Sequence, residues 1–196
     1  MKGDIYPVWL SWALNNKLRL LFNNPRKIVG DYVKRGNTVA DIGCGPGFFT
    51  LALAEMVGAE GRVIAIDLQK GMLNKVEAAA ERLKLLPRIV LHQSREDRLG
   101  VTEKVDFALA FWMVHEVVDT KSFFDEIFAM LKPNGLLLMV EPKYHVRAAT
   151  FQAQVEAASA AGLIVYREVT MRVNRAIVFS LPPITSSAAE RAKGKI

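Results

Sequence analysis

From residue 37 onward, short apolar runs alternate with longer stretches whose apolar residues recur at helical spacing. TVADIG reads as a strand, followed by a helix over 47–58; RVIAID (62–67) is a second strand, followed by a helix over 70–86. RIVLH (88–92) and VDFALAF (105–111) are the third and fourth strands. SFFDEIFAML is a helix closed by the turn residues Lys132-Pro133-Asn134-Gly135, and GLLLMVE (135–141) is the fifth strand. TFQAQVEAASAAG (150–162) is a helix stopped by Gly162. LIVYREVTMR and AIVFSL then form two strands joined through Val173-Asn174-Arg175, too close for a crossover helix and therefore an antiparallel hairpin. The whole is an α/β chain: a doubly wound, seven-stranded sheet, mostly parallel, with an antiparallel last strand at the edge.

Ahead of this pattern, Trp9, Trp12, Ala13, Leu18 and Leu21 fall near one helical stripe. Asn24 and Pro25 then signal a second helix start, with Gly36 as its stop. The divisions expected are an N-terminal helical segment over 1–36, a main domain over 37–181, and a loosely ordered tail over 182–196.

Composition narrows the class. The chain has 196 residues, enough for one domain with a sizeable core. The single Cys44 rules out an internal disulfide framework and a cysteine-rich zinc site, and no metal site is expected. The apolar patch near the start is only about ten residues long and follows Asp4. It is too short to span a bilayer and lacks a cleavage signal, so a cytoplasmic location is expected, with weak surface association as the most a membrane would offer. A net charge of +6, spread along the chain except in the tail ERAKGKI, reads as a solvated surface rather than a nucleic-acid footprint.

The chemistry begins at DIGCGPGFFT, residues 41–50. Gly43, Gly45 and Gly47 make a G-x-G-x-G turn directly after the first strand. A dinucleotide turn wants its third glycine at 48, where this chain has Phe48. Asp41 would repel a pyrophosphate but attract a cation. Asp67, which ends the second strand 20 residues after Gly47, is placed to accept both hydrogen bonds of a ribose diol. A nucleoside with a cationic amino-acid arm answers to both acids, and S-adenosylmethionine is such a molecule. A nicotinamide dehydrogenase is weakened by the same residues.

VADIGCGPGFFT, VIAIDL, VDFALAFWMVHEV and LKPNGLLLMVEP, in that order over about 36–181, resemble the class I S-adenosylmethionine-dependent methyltransferases. The likeness is to the small-molecule type that includes the ubiquinone/menaquinone C-methyltransferases. The resemblance implies a Rossmann-like fold and methyl transfer by in-line displacement to a small-molecule acceptor, leaving S-adenosylhomocysteine. It implies that Asp41, Gly43, Gly45 and Gly47 surround the methionine arm, that Asp67 holds the ribose, and that Leu68 packs on the adenine. The acid expected after the third strand is replaced by Ser94, leaving the adenine edge to Ser94, the Arg95 backbone or Glu96. Ala110 and Phe111 should border the transferable methyl.

Candidates for proton transfer cluster after strands four and five. His115 and Glu141 are the catalytic candidates, with Glu116, Tyr144 and His145 beside them. The structural alternatives are that His115 and Glu116 brace the next helix and that Glu141 is an acid bonded near Pro142. Phe48 and Phe49 read as core ahead of substrate stacking, and Trp112 as core or pocket wall. No N/D-P-P-Y/F stretch and no Pro-Cys nucleophile follow strand four, so nucleic-acid base methylation is disfavoured. The rival functions are a protein or RNA methyltransferase and a non-catalytic S-adenosylmethionine-binding module. The apolar 6–22 segment is expected to cover the cleft as a lid, the alternatives being that it packs on the back of the sheet or docks on a membrane surface.

Overall fold

The computed structural model describes residues 24–183, so the Trp9–Leu21 stripe, the lid segment and all but the first two residues of the tail lie outside the described residues. In chain order the elements are α1 (Pro25–Val29), β1 (Thr38–Ile42), α2 (Thr50–Val57), β2 (Arg62–Asp67), α3 (Lys70–Arg82) and β3 (Ile89–Gln93). They continue with β4 (Val105–Phe111), α4 (Thr120–Met130), β5 (Leu131–Pro142), α5 (Ala148–Ala160), β6 (Ile164–Thr170) and β7 (Asn174–Ser180). Single 3-10 turns lie at Leu86–Arg88 and Val114–Glu116.

One seven-stranded sheet runs in the order β3-β2-β1-β4-β5-β7-β6. β1 to β5 pair in parallel, and β7 is antiparallel to both β5 and β6. The predicted hairpin does close the sheet edge; within it β7 is the inner strand and β6 the rim. β7 is apolar on both faces because it is covered, whereas β6 is exposed along almost its whole length.

Period-two alternation divides the core. Val39, Val63, Ala65, Phe107, Leu109, Leu138 and Val140 face α2 and α3, meeting Leu53, Val57 and Val76. Ala40, Ile64, Ile66, Ala108, Ala110, Leu137 and Met139 face α4 and α5, meeting Phe124, Ile127, Phe151 and Val155. Burial on both faces explains why the central strands read as nearly continuous apolar runs.

Several boundaries differ from expectation. Asn24 caps α1, its side chain accepting from the Lys27 amide, but the helix ends at Val29 rather than at Gly36. Gly36 instead turns the chain into β1 at φ +81°, its amide bonded to the Val57 carbonyl. α2 starts at Thr50 because 43–49 is consumed by the glycine turn. α3 stops at Arg82, four residues early, where Lys84 (φ +58°) and Pro87 end the helical run. β5 starts before its turn: Val105 pairs with Leu131, the register shifts, and pairing resumes at Phe107 and Leu136. Among the described residues no helix is long and apolar enough to cross a membrane.

Candidate active site

The carboxyl ends of β1 to β5 open into one cleft of about 830 Å³, a size typical of small-ligand sites. Its first half is built by the glycine turn. Gly43 sits at φ +68°, and a Cβ there would stand 2.8 Å from both Cβ and Cγ of Met113. Only glycine lets the turn after β1 lie against the turn after β4. At Gly45 (φ +54°) an added Cβ would meet nothing within 4 Å, so the backbone there is bare toward open space.

Asp67 closes this turn. Its Oδ2 accepts from the Gly45 amide at 2.9 Å and its Oδ1 from the Gln69 amide at 2.8 Å. The carboxylate is only 8% exposed, and burial pushes its pKa up while the two amides pull it back. Each oxygen keeps a lone pair for a ligand hydroxyl. Asp41 is more deeply buried, and the Thr50 hydroxyl donates to its Oδ2 at 2.6 Å. Both Asp41 and Asp67 line the cleft.

Leu68, Ser94, Arg95 and Glu96 line the same end. The Ser94 amide donates to the Asp67 carbonyl at 3.1 Å, and Arg95 bridges to Arg98 across a tight turn. Glu126 of α4 fixes the far end of this loop, its two oxygens accepting from the Leu99 and Gly100 amides at 2.8 Å each. Two expected residues are not on the cleft wall. Gly47 (φ +95°) faces Val76 and Leu51, and Ala110 lies in the core on the α4 side of the sheet. Alternation puts Phe111 rather than Ala110 on the cleft wall.

The second half is aromatic. Phe48 meets Phe49 edge-on at 5.4 Å, Phe49 meets Phe111 at 4.4 Å, Phe111 meets Trp112 at 5.2 Å, and Trp112 meets Tyr144 at 6.1 Å. Phe48 and Phe49 are core residues that also face the cleft, and half-buried Trp112 is pocket wall. Trp112 sits at φ +61°, unusual for a bulky side chain. It is pinned by its amide to the Val140 carbonyl (2.8 Å) and by its indole N–H to Oδ1 of buried Asn174 (3.0 Å).

His115 and Glu141 meet, as their positions after β4 and within β5 allow. Glu141 is fully buried and does not itself line the cleft. Its Oε1 accepts from the His115 amide at 3.1 Å and its Oε2 pairs with His115 Nδ1 at 2.6 Å. A carboxylate can only accept, so Nδ1 carries the proton and Nε2 is the basic nitrogen. Burial opposes charge on the ring, but the Glu141 hydrogen bond and charge, helped by Glu116, outweigh it and raise the His115 pKa above 6.5. The His145 ring packs edge-on at 4.8 Å. Thr50, Asn174 and Glu126 were not singled out by the sequence. The sequence pattern puts Asn174 in the join between the last two strands, whereas it is the first residue of β7.

A model of the methyltransferase-domain family matches residues 33–176. The chain belongs to that family. It is 27% identical over 109 residues to the demethylmenaquinone methyltransferase of Oceanobacillus iheyensis, covering 56% of this chain and 46% of that one. It is 32% identical over 110 residues to the protein of the same name from Lactobacillus johnsonii, covering 56% and 45%. The chain thus spans about half the length of the curated relatives it matches. The S-adenosylmethionine-dependent methyltransferase of Aquifex aeolicus superposes with a TM-score of 0.80 at 25% identity, over 89% of this chain and 98% of that one. The residues lining the cleft fit S-adenosylmethionine as a ligand. Bare backbone at Gly45 lies against the Asp67 carboxylate, whose remaining lone pairs suit vicinal hydroxyls.

Proposed function

We propose that the protein transfers the methyl group of S-adenosylmethionine to a small-molecule acceptor held in the aromatic half of the cleft, with His115 as general base. S-adenosylmethionine supplies a methyl already activated on a sulfonium, and its transfer leaves the bonding pair on sulfur as a neutral thioether. The protein's tasks are to bind, align and receive a proton. Gly43 and Gly45 let the turn approach the amino-acid arm, Asp41 sets its charge, and Asp67 takes the ribose hydroxyls. Leu68, Ser94, Arg95 and Glu96 flank the purine, and Phe111 borders the methyl. Gly47 and Ala110 act from behind the wall, shaping the turn and the floor.

The observation that carries the reading is the His115–Glu141 pair. A fully buried carboxylate holds Nδ1 of a cleft-lining imidazole, leaving Nε2 for the proton an acceptor loses as it is methylated. A module that only binds the nucleoside has no use for this arrangement. The demethylmenaquinone methyltransferases among its relatives favour a small acceptor over a polymer. The test is to incubate the full chain with S-adenosylmethionine and a panel of small acceptors, phenols and hydroquinones included, and to measure S-adenosylhomocysteine. Acceptor-dependent product supports the reading. Binding of the donor with no product across small molecules, but product with a protein or RNA, overturns the acceptor class.

A further inference from the structure

Six carboxylates that line the cleft have partners or water to hold their charge. Asp41 has Thr50, Asp67 has two amides, Asp119 has Ser122, Glu126 has two amides, Asp97 has Arg95, and Glu96 is exposed. Glu116 is different. It lines the cleft on the 3-10 turn Val114–Glu116, it is half-buried, and its carboxylate makes no hydrogen bond or ion pair with another described residue. Among the described residues only the neighbouring His115 ring offsets its charge, and a partly desolvated carboxylate in a ligand cleft is stabilised further by a cation on the ligand.

The position of Glu116 says which cation. It directly follows His115, the proposed base, and lines the same cleft as Asp67, the proposed ribose acid. It feels the charges of His115, Asp67 and Glu141, and burial is the leading cause of its raised pKa. Sulfur in the donor is bonded to the ribose side chain and points its methyl at the acceptor. A cleft carboxylate whose charge is felt by both the ribose acid and the base is therefore placed to act on the sulfonium.

We infer that Glu116 is a specificity-determining residue that recognises the positive sulfur of S-adenosylmethionine and thereby distinguishes donor from product. This rests on the reading of the cleft as the S-adenosylmethionine site. The positive charge is present before methyl transfer and absent afterwards. Glu116 thus favours entry of the donor and stops favouring the ligand once it is S-adenosylhomocysteine, easing product release.

The test is calorimetric titration of the full chain and of Glu116→Gln with S-adenosylmethionine and with S-adenosylhomocysteine, at one pH and ionic strength. Glu116→Gln weakens S-adenosylmethionine about tenfold and changes S-adenosylhomocysteine by less than about threefold, while Glu116→Asp, which keeps the charge, retains the preference for the donor. A residue that only braces the turn would weaken both ligands equally, and that result, or an unchanged ratio, overturns the inference while the cofactor assignment stands. If Glu116→Gln does not fold, Glu116→Ala is read by the same ratio. Wild-type protein that binds neither ligand overturns the cofactor assignment and the inference with it.

Discussion

Replacing Glu141 by Gln tests the proton-transfer half of the site. Glu141 makes two bonds to one residue: a 2.6 Å contact with the His115 ring and a 3.1 Å bond from its backbone amide. Glutamine cannot reproduce both. With its oxygen toward Nδ1, its NH₂ faces the His115 amide, donor against donor. With its NH₂ toward Nδ1, the imidazole is driven into the tautomer that carries hydrogen on Nε2 and cannot accept a proton there. Losing one charge-assisted bond costs about 1.5 to 3 kcal/mol, so kcat falls about 10- to 150-fold. Glu141 is off the cleft wall, so affinity for S-adenosylmethionine stays within about threefold. The pH profile moves as well. Wild-type activity rises with pH as His115 loses its proton around a pKa lying above 6.5. Without the Glu141 charge, burial is left to dominate and the limb shifts to lower pH. The assay is S-adenosylhomocysteine formation with the acceptor from the panel, alongside NMR titration of the His115 ring. An unchanged kcat, or a His115 pKa that stays raised in Glu141→Gln, would refute the dyad.

Asp67→Ala weakens S-adenosylmethionine by about 1.5 to 3 kcal/mol in calorimetry; because it also strands the Gly45 and Gln69 amides, unliganded stability in a denaturant melt falls by about 1 to 3 kcal/mol. Gly43→Ala destabilises the fold by about 2 to 4 kcal/mol in a thermal melt, combining the positive φ with the clash against Met113. Gly45→Ala, whose Cβ meets no atom of the protein, costs stability only about 1 kcal/mol yet weakens the donor markedly, a contrast read by comparing melts with titrations.

Much of this was legible in the chain because burial writes itself into periodicity. β1, β2, β4 and β5 were found within a few residues, since each is covered on both sides and is apolar along most of its length; β3, at the sheet rim with Val90 exposed, showed only a short apolar run. The placement of Asp67 at the end of β2 was legible from the apolar run before it, and that of the glycines after β1 because few residues other than glycine tolerate those φ values. What the sequence concealed depends on contacts between distant segments. Thr50 and Asp41 are nine residues apart, and their bond exists only because the turn folds back. Asn174 and Trp112 are separated by 62 residues and meet only because β7 inserts between β5 and β6. The start of α2 was misplaced because apolar Phe48 and Phe49 carry helical spacing while their backbone belongs to the turn. Ala110 and Phe111 must point to opposite faces of β4, but which of them meets the cleft depends on which helices cover each face of the sheet.

The most direct test of the central claim is competitive calorimetry on the wild-type chain with S-adenosylmethionine and NAD. The residues around Gly45, Asp41 and Asp67 predict one S-adenosylmethionine per chain and NAD binding at least about tenfold weaker. NAD as the tighter ligand, or no saturable binding of S-adenosylmethionine, would contradict the account.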